Sequence, residues 1–113
     1  MIKWPGLRYR SVGKTRPPFR RAILGRKQVL CTYQNRDRET CPYILGYKDG
    51  QEKALVFQFA GESSQKLPAA GDWRCFFLSE VRSLTIRDGP WRGAGSHSSP
   101  QTCVEEVDLD IGL

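Results

Sequence analysis

Arg38–Gly61 (RETCPYILGYKDGQEKALVFQFAG) contains two apolar-rich runs on either side of Asp49-Gly50. Asp-Gly suits the positive φ that a two-residue hairpin turn demands, so the runs Arg38–Tyr47 and Glu52–Gly61 are expected to pair as antiparallel strands. In the second run Ala54, Val56, Gln58 and Ala60 alternate with Leu55, Phe57 and Phe59. A period of two residues belongs to a strand, and it is expected to turn Leu55, Phe57 and Phe59 inward as one strongly apolar face. Pro42 has no backbone donor, so it is expected at a bulge or on a sheet edge. An edge there would allow pairing with a second copy, a possible homodimer.

Working outward, Gln28–Gln34 (QVLCTYQ) precedes this hairpin, with Asn35-Arg36-Asp37 as the connection. Asp72–Leu78 (DWRCFFL) and Ser83–Arg87 (SLTIR) follow it, with Ser79-Glu80-Val81 as a single turn between them. Five short strands separated by turn residues bury their edges by curling into a small barrel or sandwich. Upstream, Phe19–Lys27 places Phe19, Ala22 and Ile23 on one side, a short helix started by Pro17-Pro18. Residues 1–18 read as a basic arm, 28–88 as the barrel, 89–102 as a loop and 103–111 as a C-terminal strand. All of it fits one mostly-β domain of 113 residues.

Charge is unevenly placed in a chain of net charge +6. Before Cys31 there are nine bases, Lys3, Arg8, Arg10, Lys14, Arg16, Arg20, Arg21, Arg26 and Lys27, and no acid. After Arg92 there are Glu105, Glu106, Asp108 and Asp110 and no base. The head can pair with the tail within the molecule or serve a polyanion. No run approaches the ~18 apolar residues of a membrane span, and Met1–Gly6 lacks the apolar run of a secretory signal. A cytoplasmic location without membrane association is therefore expected, with Cys31, Cys41, Cys75 and Cys103 as reduced structural thiols.

The order of residues resembles the bacterial WYL domain over about residues 28–88. Val29–Tyr33, Arg36–Pro42 and Leu45-Gly46-Tyr47 resemble its first strands, and Trp73–Val81 with Leu84 resembles its closing motif. The Trp-Tyr-Leu triplet falls near Ala54-Leu55-Val56 and is replaced there. The resemblance implies a five-stranded Sm-like or SH3-like barrel that binds a ligand, a nucleotide or single-stranded nucleic acid. It also implies Arg38 and Arg74 as the cationic residues for phosphate, with Tyr33, Phe76 or Trp73 for stacking.

Arginine and aromatic residues interleave at Trp4, Arg8, Tyr9 and Arg10 and again at Phe19, Arg20 and Arg21, a mixture suited to phosphate neutralisation and base stacking. The bland alternative packs Trp4 and Tyr9 onto the barrel and leaves the arginines solvated. Catalysis finds little support. His97 is the single histidine and sits in Gly93–Pro100 without an orienting partner. The four tail acids lack the glycine turn and spacing of a calcium loop. No catalytic residue, metal or cofactor is therefore expected. The expected function is a non-enzymatic ligand-binding module. The alternative is a protein-interaction or regulatory module working through loops 61–71 and 89–102 and Trp91, a residue type enriched at interface hot spots.

Overall fold

The computed structural model describes residues 15–63, 66–93 and 101–111. Within them helix α1 (Arg16–Gly25) precedes β1 (Gln28–Tyr33), β2 (Arg36–Lys48), β3 (Gln51–Gly61) and β4 (Asp72–Phe77). A single 3-10 turn (Leu78–Glu80) leads into β5 (Val81–Arg87), and β6 (Glu106–Asp110) closes the chain. The strands form one antiparallel sheet in the order β4-β3-β2-β1-β5, with β6 paired to β2. No pairing joins β4 to β5, so the sheet is not a closed barrel.

α1 starts earlier than its apolar spacing suggests, because Pro17 and Pro18 lie inside its first turn, where a missing N–H costs nothing. Phe19, Ala22 and Ile23 are wholly buried, one stripe at i, i+3 and i+4. The helix ends at Arg26, which takes a left-handed conformation at φ 51° while the N–H of Lys27 donates to Ala22 O at 2.8 Å. The Asp49-Gly50 turn has φ of 53° and 76°, as Asp-Gly anticipates. The β1–β2 turn falls on Gln34 and Asn35, both at positive φ, so Arg36 and Asp37 belong to β2 rather than to the connection.

β2 is the centre of the sheet. One edge pairs with β3 from Arg38 to Lys48. The other pairs with β1 over Arg36–Thr40 and then with β6 over Ile44–Tyr47. Pro42 lies in the gap between these two partners, next to a register shift against β3, where its missing donor is not needed. The expected free edge beside Pro42 is thereby corrected: β2 is an interior strand.

Both faces of the sheet are covered. Val29, Tyr33, Leu45, Val56, Phe76 and Leu78 pack beneath α1 in one core. Cys41, Tyr43, Ile44, Leu55 and Phe57 form a second core with Cys103 and Val104, and Phe59, Trp73 and Trp91 lie against it. Leu55, Phe57 and Phe59 thus face the second core, while the smaller Ala54 and Val56 face the helix. The C-terminal segment crosses β2 so closely that a Cβ on Gly46 would meet Glu106 O at 2.1 Å. β6 itself begins at Glu106 rather than at Cys103.

Cys75 and Cys103 are joined as a disulfide, which corrects the expectation of four reduced thiols; Cys31 and Cys41 are free and buried. Twenty-eight positions separate the two half-cystines, and closing a loop of that size in the unfolded chain is worth about 3–4 kcal/mol. A denatured, unreduced sample should show two titratable thiols and a reduced one four. Denaturant titration should place the reduced chain about 3 kcal/mol below the oxidised one. A difference within experimental error would mean that the bridge contributes nothing to folding.

Candidate anion-binding site

At one end of the sheet four neighbouring strands bring Tyr33, Arg38, Gln58, Arg74 and Phe76 together. Arg38 stands opposite Gly61 in the register. A Cβ at Gly61 would lie 2.4 Å from Asp37 O and 2.9 Å from Arg38 Cα, and its φ is 95°, so this crossing requires glycine. The Arg38 side chain is directed inward and the residue is 3% exposed. Its Nη1 donates to Gln58 Oε1 at 3.3 Å and its Nη2 to Tyr33 O at 3.2 Å. The guanidinium carbon lies 5.4 Å from the centre of the Tyr33 ring and 5.7 Å from that of Phe76, within cation–π range.

What this guanidinium lacks is a counter-charge. Among the described residues no carboxylate forms an ion pair with it, and its Nε is buried with no hydrogen-bond partner. Burial, followed by the like charge of Arg36 and then of Arg74, holds its pKa below the usual arginine value. Gln58 is wholly buried and oriented for this role: its Nε2 donates to Ala60 O and Glu62 O, which leaves Oε1 to accept from Arg38. Arg74 donates through Nε to Ser63 Oγ at 3.3 Å and through Nη1 to Asp72 Oδ2 at 3.0 Å. Three guanidinium groups thus share one end of the sheet, and among the described residues Asp72 is the one carboxylate paired with any of them.

A groove of ≈ 380 Å³ opens alongside β1, β2 and β5, with Arg38, Asp37, Glu39, Ser83 and Arg87 in its lining. The β1–β5 register shifts between Leu30 and Thr32, and Ser83 takes φ 53°, a left-handed conformation that widens the strand locally. Both acids of the groove are engaged: Asp37 accepts from Thr32 Oγ1 at 3.1 Å, and Glu39 pairs with Arg87 at 3.0 Å.

The residues named from the sequence divide between two places. Arg38, Arg74, Tyr33 and Phe76 come together. The expected stacking role for Tyr33 and Phe76 is corrected, because the rings stack on each other at 4.1 Å and are 4% and 1% exposed, leaving no face for a base. Trp73 points to the opposite side of β4 and packs edge-on against Tyr43 and Phe57. Strand alternation separates Trp73 from Arg74 and Phe76, a parity the sequence carries in plain view. Gln58 and Ser63 escaped the sequence reading, although a glutamine inside the apolar run Ala54–Ala60 is a polar intruder that marks the spot. In the arm, Arg8 and Arg10 lie outside the described residues, as does His97, while Arg20 and Arg21 are exposed on α1. Trp91 is half-buried, 4.9 Å from Tyr43, and the carbonyl of the adjacent Arg92 accepts from Tyr43 Oη at 2.6 Å. Loops 61–71 and 89–102 lie partly outside the described residues.

Among the described residues no three His, Cys, Asp or Glu side chains gather where they could hold a metal ion, and no helix is long and apolar enough to cross a membrane. Compared with known proteins, the chain matches no family model, no curated protein and no solved structure.

Burial pushes the Cys31 thiol from an ordinary 9.0 up to about 12 and Tyr43 up to about 12, and raises Cys41. A group that keeps its proton more tightly when folded adds stability that is complete below its unfolded pKa and lost as pH climbs toward the folded one. Unfolding free energy should therefore fall between pH 9 and about 12, and Cys31→Ala should reduce that fall. Separately, Trp91→Ala should cost about 2–3 kcal/mol in chemical denaturation, since it empties part of the second core. A loss below about 0.5 kcal/mol, the range of ordinary surface changes, would mean that Trp91 contributes little to the second core.

Proposed function

We propose that this chain is a non-enzymatic binding module that captures a phosphate-bearing ligand, a nucleotide or a single-stranded nucleic acid, at Arg38 and Arg74. The single observation that carries the reading is the inward guanidinium of Arg38, which has a backbone carbonyl, an amide oxygen and two aromatic rings around it and, among the described residues, no carboxylate. An unpaired buried charge costs several kcal/mol, so a stabilising anion is the simplest reason for keeping it. A phosphate suits the planar fork of arginine, which meets two oxygens at once. The groove beside it falls within the size range of small-ligand sites.

The resemblance to the WYL domain supports the same assignment, since it names Arg38 and Arg74 from the motif alone. The leading helix, the meander β1-β2-β3-β4 and the return of β5 to β1 support an open Sm-like or SH3-like arrangement. With Tyr33 and Phe76 stacked on each other, recognition of the ligand rests on phosphate contacts more than on base stacking.

Arg38→Met tests the reading, because it removes the charge and keeps much of the volume. Its stability should stay within about 2 kcal/mol of the parent: relief from an unpaired buried charge offsets the two acceptors left without a donor. Fluorescence polarisation with labelled single-stranded RNA, single-stranded DNA, duplex DNA and a nucleotide should show binding of one ligand that survives physiological salt. That binding should be lost in Arg38→Met and weakened at least roughly tenfold in Arg74→Gln, the scale of one charged hydrogen bond. Weak binding seen only at low salt, equal for every probe and unchanged in both variants, would sink the assignment.

A further inference from the structure

A second set of cations sits on α1, away from Arg38, and it is masked by the chain itself. Arg16 pairs with Glu52 at 3.0 Å and also with Asp108 of β6, and Arg20 reaches the same Asp108 carboxylate at 3.5 Å. One tail carboxylate thus screens two guanidinium groups of the basic helix. The strand that presents it pairs with β2 alone among the described strands: Glu106, Val107 and Asp108 are exposed, while Leu109 packs against the first core. Its start is secured by the Cys75–Cys103 disulfide, since Cys103 lies just ahead of Glu106 while Cys75 belongs to β4 on the far side of β3. Cys75 is exposed, so a reductant can reach it.

We propose that this disulfide is a redox latch. Oxidised, it holds β6 so that Asp108 covers Arg16 and Arg20; reduced, it lets β6 lift and frees Arg20 and the Nη2 side of Arg16, whose Nη1 stays paired with Glu52, for the backbone of a phosphate polyanion. The chemistry is thiol–disulfide exchange with a dithiol reductant. A reductant thiolate attacks Cys75 Sγ, the S–S bond breaks, and Cys103 leaves as a thiolate that takes up a proton. The second reductant thiol resolves the mixed disulfide and releases Cys75. Two electrons pass to the chain, and the reductant leaves as its own disulfide. Bridges with an exposed sulfur are the labile ones. Strands with exposed residues and pairing along one edge open locally before the core strands do. Freed arginines then add affinity by releasing counterions from the polyanion.

The test uses the full chain carrying Arg38→Met, so that the site at Arg38 contributes nothing to the readout. Hydrogen exchange at the Val107 and Leu109 amides is compared between oxidised and dithiol-reduced protein, alongside low-salt binding of a labelled oligothymidylate. Reduction should speed β6 exchange at least roughly tenfold while β1–β3 stay protected. It should also tighten oligothymidylate binding on the order of tenfold, about one added phosphate contact. Asp108→Asn should bind tightly in both redox states, because the mask is gone without opening the bridge. Unchanged β6 exchange, equal binding in both states, or no gain in Asp108→Asn would each overturn the latch. Loss of protection across β1–β3 on reduction would overturn it as well, by showing the bridge to be structural only.

Discussion

Thirteen consecutive residues of β2 carry hydrogen-bonding groups toward both edges, and satisfying them organises nearly everything else in the molecule. Unmet backbone donors and acceptors in a buried strand are expensive, so a strand this long in the interior must find partners along its whole length. β3 meets one edge from Arg38 to Lys48. The other edge is too long for the six residues of β1, and β6 takes the remainder. The handover falls at the proline, the one residue that has no donor to lose. Drawing β6 onto β2 also brings the C-terminal segment over the second face, where Cys103 meets Cys75 and Val104 meets the second core.

That arrangement leaves an unusual electrostatic residue at the end of the sheet. Arg38 faces the interior because its neighbours in the register face the interior, and Gly61 opposite it leaves space for nothing else. Neutral oxygens from Tyr33 and Gln58 and the two aromatic rings soften the cost of burial, yet none supplies a negative charge. Arg16, Arg20, Lys27, Arg74 and Arg87 meet carboxylates, and Arg82 and Arg92 are exposed to water. Arg38 differs from both groups in being buried without an ion pair among the described residues.

The resemblance names Arg38 and Arg74 from the sequence, and the fold brings both to the same end of the sheet. The stacking partners were not legible, because a ring in an apolar strand looks the same in sequence whether it faces solvent or another ring. Tyr33 and Phe76 are spent on each other, and Trp73 is carried to the opposite face by the period of the strand. Gln58 was overlooked because a single polar residue in an apolar run reads as noise until its hydrogen bonds are seen.

From the sequence alone come the features set by neighbours in the chain. These are the turn at Asp49-Gly50, the period-two runs, the helix begun by Pro17 and Pro18, and the uneven charge that later pairs Arg16 and Arg20 with Asp108. Each rests on local steric or electrostatic preference, which a short stretch of residues expresses without help. Tertiary structure decided which face of β3 lies under the helix, which cysteines join, that β2 is interior, and that Arg38 is enclosed with no carboxylate paired to it among the described residues. Those outcomes depend on residues tens of positions apart meeting in space. A period of two defines two faces of a strand, but only the packing of the whole chain determines what covers each of them.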